Sequence, residues 1–284
     1  MKTAAQWKTF YAAERAALGE LGLAARLEQA PEVPLPARGA LVFPHTMLAA
    51  TGHLTAAVAN AVVRSGADQV LALGVLHGGR EEDAELVRSA RAGDRDSQTQ
   101  VRRVFQGGQG SSDPLCAEEF SLDGFTALLA LAAARAGKTP PRVHARYPFL
   151  VGDDPAGVPG VDELARLREA MPVVATTDPI HHGAGYGTPE GKRQAEGEPA
   201  TLAWARACIA SQLALLGNGD WTRFARLAAD VRSDFRDVGP VLGHLLRSQG
   251  VPEGEILELR LVDYAEVLGA ESPTWVAGPL MRLG

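Results

Sequence analysis

The sequence predicts a single α/β domain whose mainly parallel central sheet is covered by helices on both faces. Short, continuous apolar runs, as at residues 39–43 and 69–76, are typical of strands buried on both sides. Stretches with helical periodicity separate these runs, which is the alternation expected of a doubly covered sheet. No shift in composition divides the 284 residues, so we expect one domain over residues 1–284.

Composition and charge narrow the functional class. The chain is 46% hydrophobic and 22% charged, which is typical of a folded globular protein. Its 28 basic and 34 acidic residues give a net charge of −6, which argues against nucleic acid and anionic membranes as partners. The two cysteines, Cys116 and Cys208, are too few for a disulfide framework or a zinc-thiolate cluster.

Residues 1–38 are predicted to form an amphipathic helix followed by a proline-rich link at residues 31–36. Its larger apolar side chains recur at helical spacing and should pack on the body of the domain: Trp7, Phe10, Tyr11, Leu18 and Leu21. Charged residues interrupt any secretory signal, and no apolar run reaches the ~18–20 residues that a membrane span requires. We therefore expect a cytoplasmic protein.

The remaining elements follow in chain order. We expect strands at residues 39–43, 69–76, 142–151, 171–176, 257–262 and 274–277. Helices are predicted at residues 54–65, 113–137, 161–170, 200–216, 221–231 and 241–248. The helix at 113–137 would begin with Asp113 as its N-cap and Pro114 in its first turn, with a break near Ser121 and Gly124. The polar, glycine-rich residues 81–112 are predicted to form a loop.

Four of the seven histidines follow predicted strands. His45 follows the first strand, His77 the second, and His181 and His182 a later one. The carboxyl ends of parallel strands meet at one edge of a sheet, so these imidazoles should converge in a metal or acid/base site. The other three, His53, His144 and His244, are interpreted as structural, with His53 the strongest exception because it lies near the same edge.

The imidazole side chains of the predicted site limit which metals it would hold. Neutral imidazoles suit Fe(II), Zn(II) or Cu, and a carboxylate as third ligand would complete the set found in non-haem Fe(II) oxygenases. The candidate carboxylates are Glu118, Glu119, Asp234 and Asp237. Spacing does not choose among them, since the glutamates also suit a helix surface and Asp237 also suits an N-cap before Pro240.

An ordered set of short motifs resembles the Memo-like family, which is related by fold to the class III (LigB-type) extradiol dioxygenases. The motifs are Phe-Pro-His at 43–45 with Gly52, Gly-Val-Leu-His-Gly at 74–78, Glu-Phe-Ser-Leu-Asp at 119–123, Thr-Asp-Pro-Ile-His at 177–181 and Val-Gly-Pro at 238–240. They span about residues 40–279, and the N-terminal helix lies outside them. The resemblance implies one α/β domain of the class III extradiol dioxygenase type.

The resemblance also implies roles for individual residues. His45 and His77 would hold the metal, His181 would act as acid/base, and Asp178 would orient His181 or contact the substrate. His182 would replace His181 if that ring points away. Memo-like proteins place a cysteine before the Gly-Pro turn, whereas this chain has Asp237, which we favour as third ligand over Asp234; the alternative is a chain that has lost the metal site.

These implications lead to one main functional hypothesis and two alternatives. The main one is a metal-dependent oxidoreductase, an Fe(II) dioxygenase-like enzyme acting with O2 on a small aromatic or other oxygen-bearing substrate. The alternatives are a non-catalytic metal- or ligand-binding protein and a zinc-dependent hydrolase. A homodimer is compatible with this fold, although no sequence pattern demonstrates one.

Overall fold

The computed structural model describes residues 2–78, 81–107, 114–247, 250 and 253–284. A seven-stranded mixed sheet has the order β3-β2-β4-β1-β7-β5, and β6 pairs with β7. The strands are β1 (Ala40–Phe43), β2 (Gln69–Leu73), β3 (Arg142–Arg146), β4 (Val173–Thr176), β5 (Ile180–Gly183), β6 (Gly254–Asp263) and β7 (Thr274–Leu283). The α/β class predicted from the sequence is confirmed.

The prediction of a mainly parallel sheet holds for one half only. Strands β3, β2, β4 and β1 are parallel neighbours, whereas β7 runs antiparallel to β1, β5 and β6. Residues 264–273, which join β6 to β7, are too few for the crossover that parallel strands need, so these two strands pair antiparallel. Strand β7 also lies antiparallel between β1 and β5. The parallel half places the ends of β1, β2 and β4 at one edge.

Helices cover both faces of the sheet, as predicted. They are α1 (Ala4–Glu28), α2 (Leu48–Ser65), α3 (Glu81–Arg91), α4 (Arg95–Phe105), α5 (Pro114–Ala117), α6 (Asp123–Arg135), α7 (Val161–Ala170), α8 (Pro199–Asn218), α9 (Trp221–Asp230), α10 (Phe235–Arg247) and α11 (Ala265–Leu268). Alternate β1 residues face opposite layers: Leu41 and Phe43 pack with α2 and α6, whereas Ala40 and Val42 pack with α8, α9 and α10. Burial on both sides explains the continuous apolar strands.

Residues 81–105 form helices α3 and α4 where a loop was predicted. Asp94 caps α4 by accepting a hydrogen bond from Ser97 N at 2.8 Å, and α4 buries Val101, Val104 and Phe105. These apolar positions recur at helical spacing, a signal that the polar composition of the segment masks. The predicted helix at 113–137 is divided into α5 and α6, and its predicted N-cap Asp113 lies outside the described residues.

Helix α1 packs on the domain, but not all of its predicted face is buried. Trp7 and Tyr11 contact the domain, and the Tyr11 hydroxyl lies 2.8 Å from that of Tyr264. Gly19 has a left-handed φ of 58° and kinks the helix, and Leu21 beyond it is 88% exposed. The kink changes the helical phase, so the prediction that Leu21 shares the apolar face is wrong.

Helix α8 is long and apolar enough to cross a membrane by length and composition alone, with a mean hydropathy of 1.2 over its 18-residue window. In the structure Ala205, Ile209 and Leu213 pack into the core against the sheet. A core helix of a globular domain passes the same test, so this packing favours the core role.

Candidate metal centre

Three imidazoles and one carboxylate meet at the edge where β1 and β2 end. Asp234 Oδ2 lies 3.3 Å from His45 Nε2, 3.7 Å from His77 Nε2 and 3.6 Å from His181 Nε2. His45 and His77 follow parallel strands, and Asp234 immediately precedes α10. The predicted convergence of these histidines is therefore present in the structure.

The hydrogen bonds of His45 fix the orientation of its ring. Its Nδ1 lies 3.2 Å from Thr176 Oγ1, and that hydroxyl donates its own hydrogen to Phe43 O at 3.0 Å. The hydroxyl must therefore accept from His45 Nδ1–H. This leaves His45 Nε2 as the ring nitrogen that faces Asp234.

His77 and His181 are fixed in the same way by different acceptors. The His77 backbone N donates to Glu119 Oε2 at 2.7 Å, and its Nδ1 lies 3.2 Å from both oxygens of that carboxylate. His181 Nδ1 donates to the carbonyl of Arg232 at 2.7 Å. Each ring has its Nδ1 committed to the protein and its Nε2 directed at Asp234.

The electrostatics of the cluster keep Asp234 ionised. Burial raises the pKa of Asp234, but the neighbouring His181, His45 and His77 outweigh it and hold the pKa well below its usual range. Burial lowers the pKa of His77, but Glu119 and Asp234 overcome this and raise it to about 10. A metal ion would displace the proton that His77 otherwise carries and would be coordinated by the same ring nitrogen.

Asp178 lies beside these residues and is almost fully buried. Its Oδ1 accepts from His45 N at 3.2 Å, and its Oδ2 lies 3.6 Å from His45 Nε2. Burial raises its pKa, an effect that His45 and His181 partly offset. The Asp178 carbonyl also accepts from Asp234 N at 3.1 Å, so Asp178 positions both His45 and Asp234.

The structure corrects our preference for Asp237 as third ligand. Helix α10 begins at Phe235 and contains Pro240, so Asp237 lies in its first turn and does not cap a later helix. Its Oδ1 accepts from Val151 N at 2.8 Å, and its Oδ2 accepts from Arg236 Nε at 3.3 Å. Both oxygens are bonded elsewhere, and Asp234, the alternative, faces the histidines.

His182 points away from the cluster, because successive residues of strand β5 face opposite sides. Its ring stacks on Trp275 at 4.8 Å, and its Nε2 accepts from Gln194 N at 3.0 Å. The sequence interpretation placed it in a loop after β4, but residues 180–183 form a strand of their own. Its location indicates a structural role.

Replacing His182 with alanine is expected to lower the free energy of unfolding by about 1–3 kcal/mol, since Gln194 N loses its acceptor. Burial lowers the pKa of His182. The contribution of His182 to the free energy of unfolding is therefore present above the unfolded pKa of about 6.5 and is lost as the pH falls below it. Urea unfolding at pH 7 and pH 5.5 measures both effects. The control is His144→Ala, on edge strand β3. Loss of bound metal in His182→Ala would contradict a purely structural role.

Glu119 has a role that the sequence did not reveal. It was a candidate ligand, but its carboxylate accepts from the backbone N and Nδ1 of His77 and from the backbone N of Phe120 and Ser121. It therefore orients His77 without facing Asp234 itself. Glu118, its neighbour, is exposed.

We expect Glu119→Gln to weaken metal binding about 10–100-fold, because the amide orients His77 poorly and removes a charge from its Nδ1–H. Competition with a chromophoric chelator measures the affinity. Glu118→Gln is the matched control and should bind as the wild type does. Equal affinity in Glu119→Gln would show that this carboxylate does not tune the site.

The other three histidines lie outside the cluster. His53 Nε2 lies 3.1 Å from Glu258 Oε1, and His144 Nε2 lies 2.7 Å from Gln69 Oε1. His244 is partly buried in α10. None of these three belongs to the histidine and carboxylate groups found among the described residues.

A cavity of about 750 Å³ opens onto the cluster. His45, His77, Asp178, His181 and Asp234 line one part of it. Aromatic side chains also line it: Trp7, Tyr11, Phe120, Tyr186 and Tyr264. Helix α1 thus contributes to the cavity wall, although it lies outside the motifs of the resemblance; its aromatic residues were the only signal in the sequence.

Comparison with models of known protein families finds no match to this chain, and no curated protein matches it either.

Proposed function

We propose that the protein is a non-haem Fe(II) oxygenase, similar to the class III extradiol dioxygenases, that acts on a small aromatic substrate. One observation carries the proposal: His45, His77 and Asp234 present two imidazole nitrogens and a carboxylate oxygen within 4.8 Å of one another beside a cavity. This is the ligand set of non-haem Fe(II) oxygenases. The ordered motifs at residues 43–45, 74–78 and 177–181 support the same assignment.

The donor atoms fit the proposed metal. Neutral imidazoles and a carboxylate suit Fe(II), and they also bind Zn(II) or Cu. When bound, Fe(II) would supply the binding of O2 and of the substrate oxygens. Thr176 and Glu119 support this assignment, because they accept hydrogen bonds from the far ring nitrogens, as the outer partners of metal-binding histidines commonly do.

His181 is the proposed acid/base. Its Nδ1–H is bonded to the Arg232 carbonyl, so Nε2 is the atom that can take a proton from a substrate hydroxyl and return it. Its ring lies 4.8 Å from that of Tyr186, which fixes it at the cavity wall. Asp178 is the neighbouring carboxylate that stabilises a charged imidazole.

The cavity wall favours a planar, apolar ring as the bound part of the substrate. Tyr11 stacks on Phe120 at 5.1 Å, and Phe120 stacks on His77 at 4.3 Å. Aromatic faces of this kind bind a substrate ring by stacking or edge contacts. This stack leads from helix α1 to His77, so a bound ring would lie next to the proposed metal ligands.

The test is anaerobic purification, metal analysis and O2 uptake with a panel of 1,2-dihydroxybenzenes. We expect about one Fe(II) per chain and O2 consumption with ring cleavage, detected by absorbance of the product. Zn(II) without O2 uptake would contradict the proposal and favour the hydrolase. A chain that binds no metal would favour a binding protein.

A further inference from the structure

Gln212 places a fully buried amide in the apolar helix α8. Its exposed fraction is 0%, and the same helix packs Ala205, Ile209 and Leu213 into the core. Burying an amide costs free energy unless hydrogen bonds within the protein replace those it makes with water. The partners of this amide therefore indicate what a glutamine does in this core.

Both ends of the Gln212 amide bond segments that carry residues of the metal centre. Its Nε2 donates to the carbonyl of Pro179 at 3.2 Å, and its Oε1 accepts from Ser233 Oγ at 3.0 Å. Pro179 lies two residues before His181, and Ser233 immediately precedes Asp234. One buried side chain thus joins the segment that leads to the proposed base to the segment that carries the third ligand.

Two backbone hydrogen bonds join the same segments. Asp234 N donates to the carbonyl of Asp178 at 3.1 Å, and His181 N donates to that of Val231 at 3.0 Å. These bonds keep the segments side by side, and Gln212 connects them from within the core. Removing the amide therefore leaves the segments in contact but removes the buried polar bridge between them.

Arg232 is the residue at which the second segment would relax without this bridge. Its φ of 51° is left-handed, which costs conformational energy in a residue with a side chain and persists only where neighbouring contacts hold it. The next residue, Ser233, is held by Gln212 and accepts from Phe235 N at 3.1 Å. The Arg232 carbonyl accepts from His181 Nδ1, so relaxation here would also release the ring of the proposed base.

The proposed metal ligands differ in what holds them. His45 and His77 follow parallel strands, whose relative positions the sheet fixes. Asp234 lies in a connecting segment, so its position depends on the contacts of that segment. Ligands must be held to within about 0.5 Å of the productive geometry, and residues outside the ligand set commonly provide that support.

We propose that Gln212 is a positioning residue of the metal centre, whose amide sets the separation between Asp234 and His181 by bonding the segment that precedes each of them. Its expected effect on metal affinity rests on the proposed function. Its effect on the position of the His181 ring is a separate consequence that requires no metal.

The test replaces Gln212 with methionine, which has a similar length but no amide. We expect Gln212→Met to weaken Fe(II) binding about 10–100-fold under anaerobic conditions, measured by competition with a chromophoric chelator. Thr201→Val, at a fully buried residue of the same helix, is the matched control and should bind as the wild type does. Wild-type affinity in Gln212→Met would overturn the inference.

A second control separates positioning from loss of stability. Ile209→Val shortens a buried side chain of α8 and leaves both hydrogen bonds of Gln212 in place. It should lower the urea midpoint of unfolding without changing Fe(II) affinity. Equal loss of affinity in Ile209→Val and Gln212→Met would show a general effect of destabilisation and would count against a positioning role.

The apoprotein provides a readout that needs no metal. In protein with 15N-labelled histidine, we expect His181 Nδ1–H to give a proton signal protected from exchange with water, because it is bonded to the Arg232 carbonyl. Its absence from His181→Ala assigns it. Gln212→Met should lose this protection and Thr201→Val should keep it; a protected signal in Gln212→Met, or none in the wild type, would reject the inference.

If Gln212→Met does not fold, Ser233→Ala provides the same test, because it breaks the bridge at its other end. We expect it to weaken Fe(II) binding and to lose the protected His181 signal in the same way. Where all variants fold, the double variant should bind no more weakly than the weaker single variant, since both remove one bridge. Additive losses would show two independent effects and would contradict the bridge.

These measurements distinguish failure of this inference from failure of the proposed function. Wild-type protein that binds no Fe(II) would reject the oxygenase, and the His181 signal would then decide the role of Gln212 by itself. Fe(II) binding that Gln212→Met leaves unchanged would retain the metal centre and reject that role.

Discussion

Asp234→Asn is expected to lower the affinity for Fe(II) by at least about 100-fold, because a neutral amide replaces the carboxylate that faces all three imidazoles. His45→Ala and His77→Ala should each have an effect at least as large, since each removes a ligand nitrogen. Metal content after dialysis against a graded chelator series measures the loss. Circular dichroism establishes that each variant remains folded.

The matched control is Asp237→Asn, in the first turn of α10. Its amide oxygen can still accept from Val151 N, so we expect wild-type metal affinity. The reverse pattern, with metal lost in Asp237→Asn and retained in Asp234→Asn, would reject the assignment of the third ligand. Stoichiometric metal in both His45→Ala and His77→Ala would reject the site itself.

His181→Ala is expected to reduce turnover about 10²–10⁴-fold while leaving the bound metal in place, because it removes the proposed acid/base. Steady-state O2 uptake gives kcat and KM for the variant and the wild type. The loss should fall mainly on kcat, since the proton is transferred after the substrate has bound. Added imidazole should restore part of the rate by filling the space that the ring leaves.

The control for His181 is its neighbour in β5. His182→Ala should keep wild-type kcat per folded molecule, because that ring packs on Trp275 on the opposite side of the strand. Unchanged kcat in His181→Ala would contradict the acid/base role. Loss of metal in His181→Ala would instead make His181 a ligand, which the distance of 3.6 Å to Asp234 Oδ2 makes a direct alternative.

The position of His45 and His77 was predictable because two simple patterns define it. Continuous apolar runs identify strands β1 and β2, and parallel strands end at one edge of a sheet. The position of His181 in the cluster was also predicted, but for a partly incorrect reason, since His181 lies in β5 and not in a loop after β4. Its backbone bond to Val231 O brings it to the cluster.

The choice between Asp234 and Asp237 depended on where α10 begins. Gly239 and Pro240 suggested a turn, but Pro240 lies inside the helix, which begins at Phe235. That start places Asp237 against Val151 and leaves Asp234 in the preceding segment, held by the Asp178 carbonyl. A contact between residues 234 and 178 has no signal in a single sequence.

The sequence by itself determined the α/β class, the buried strands and the edge at which His45 and His77 would meet, because these follow from periodicity and chain direction alone. Only the tertiary structure decided the antiparallel half of the sheet, the third ligand, the role of Glu119 and the aromatic wall supplied by α1. Each of these depends on contacts between residues far apart in the chain, and such contacts are fixed by packing and hydrogen bonding that local patterns do not encode.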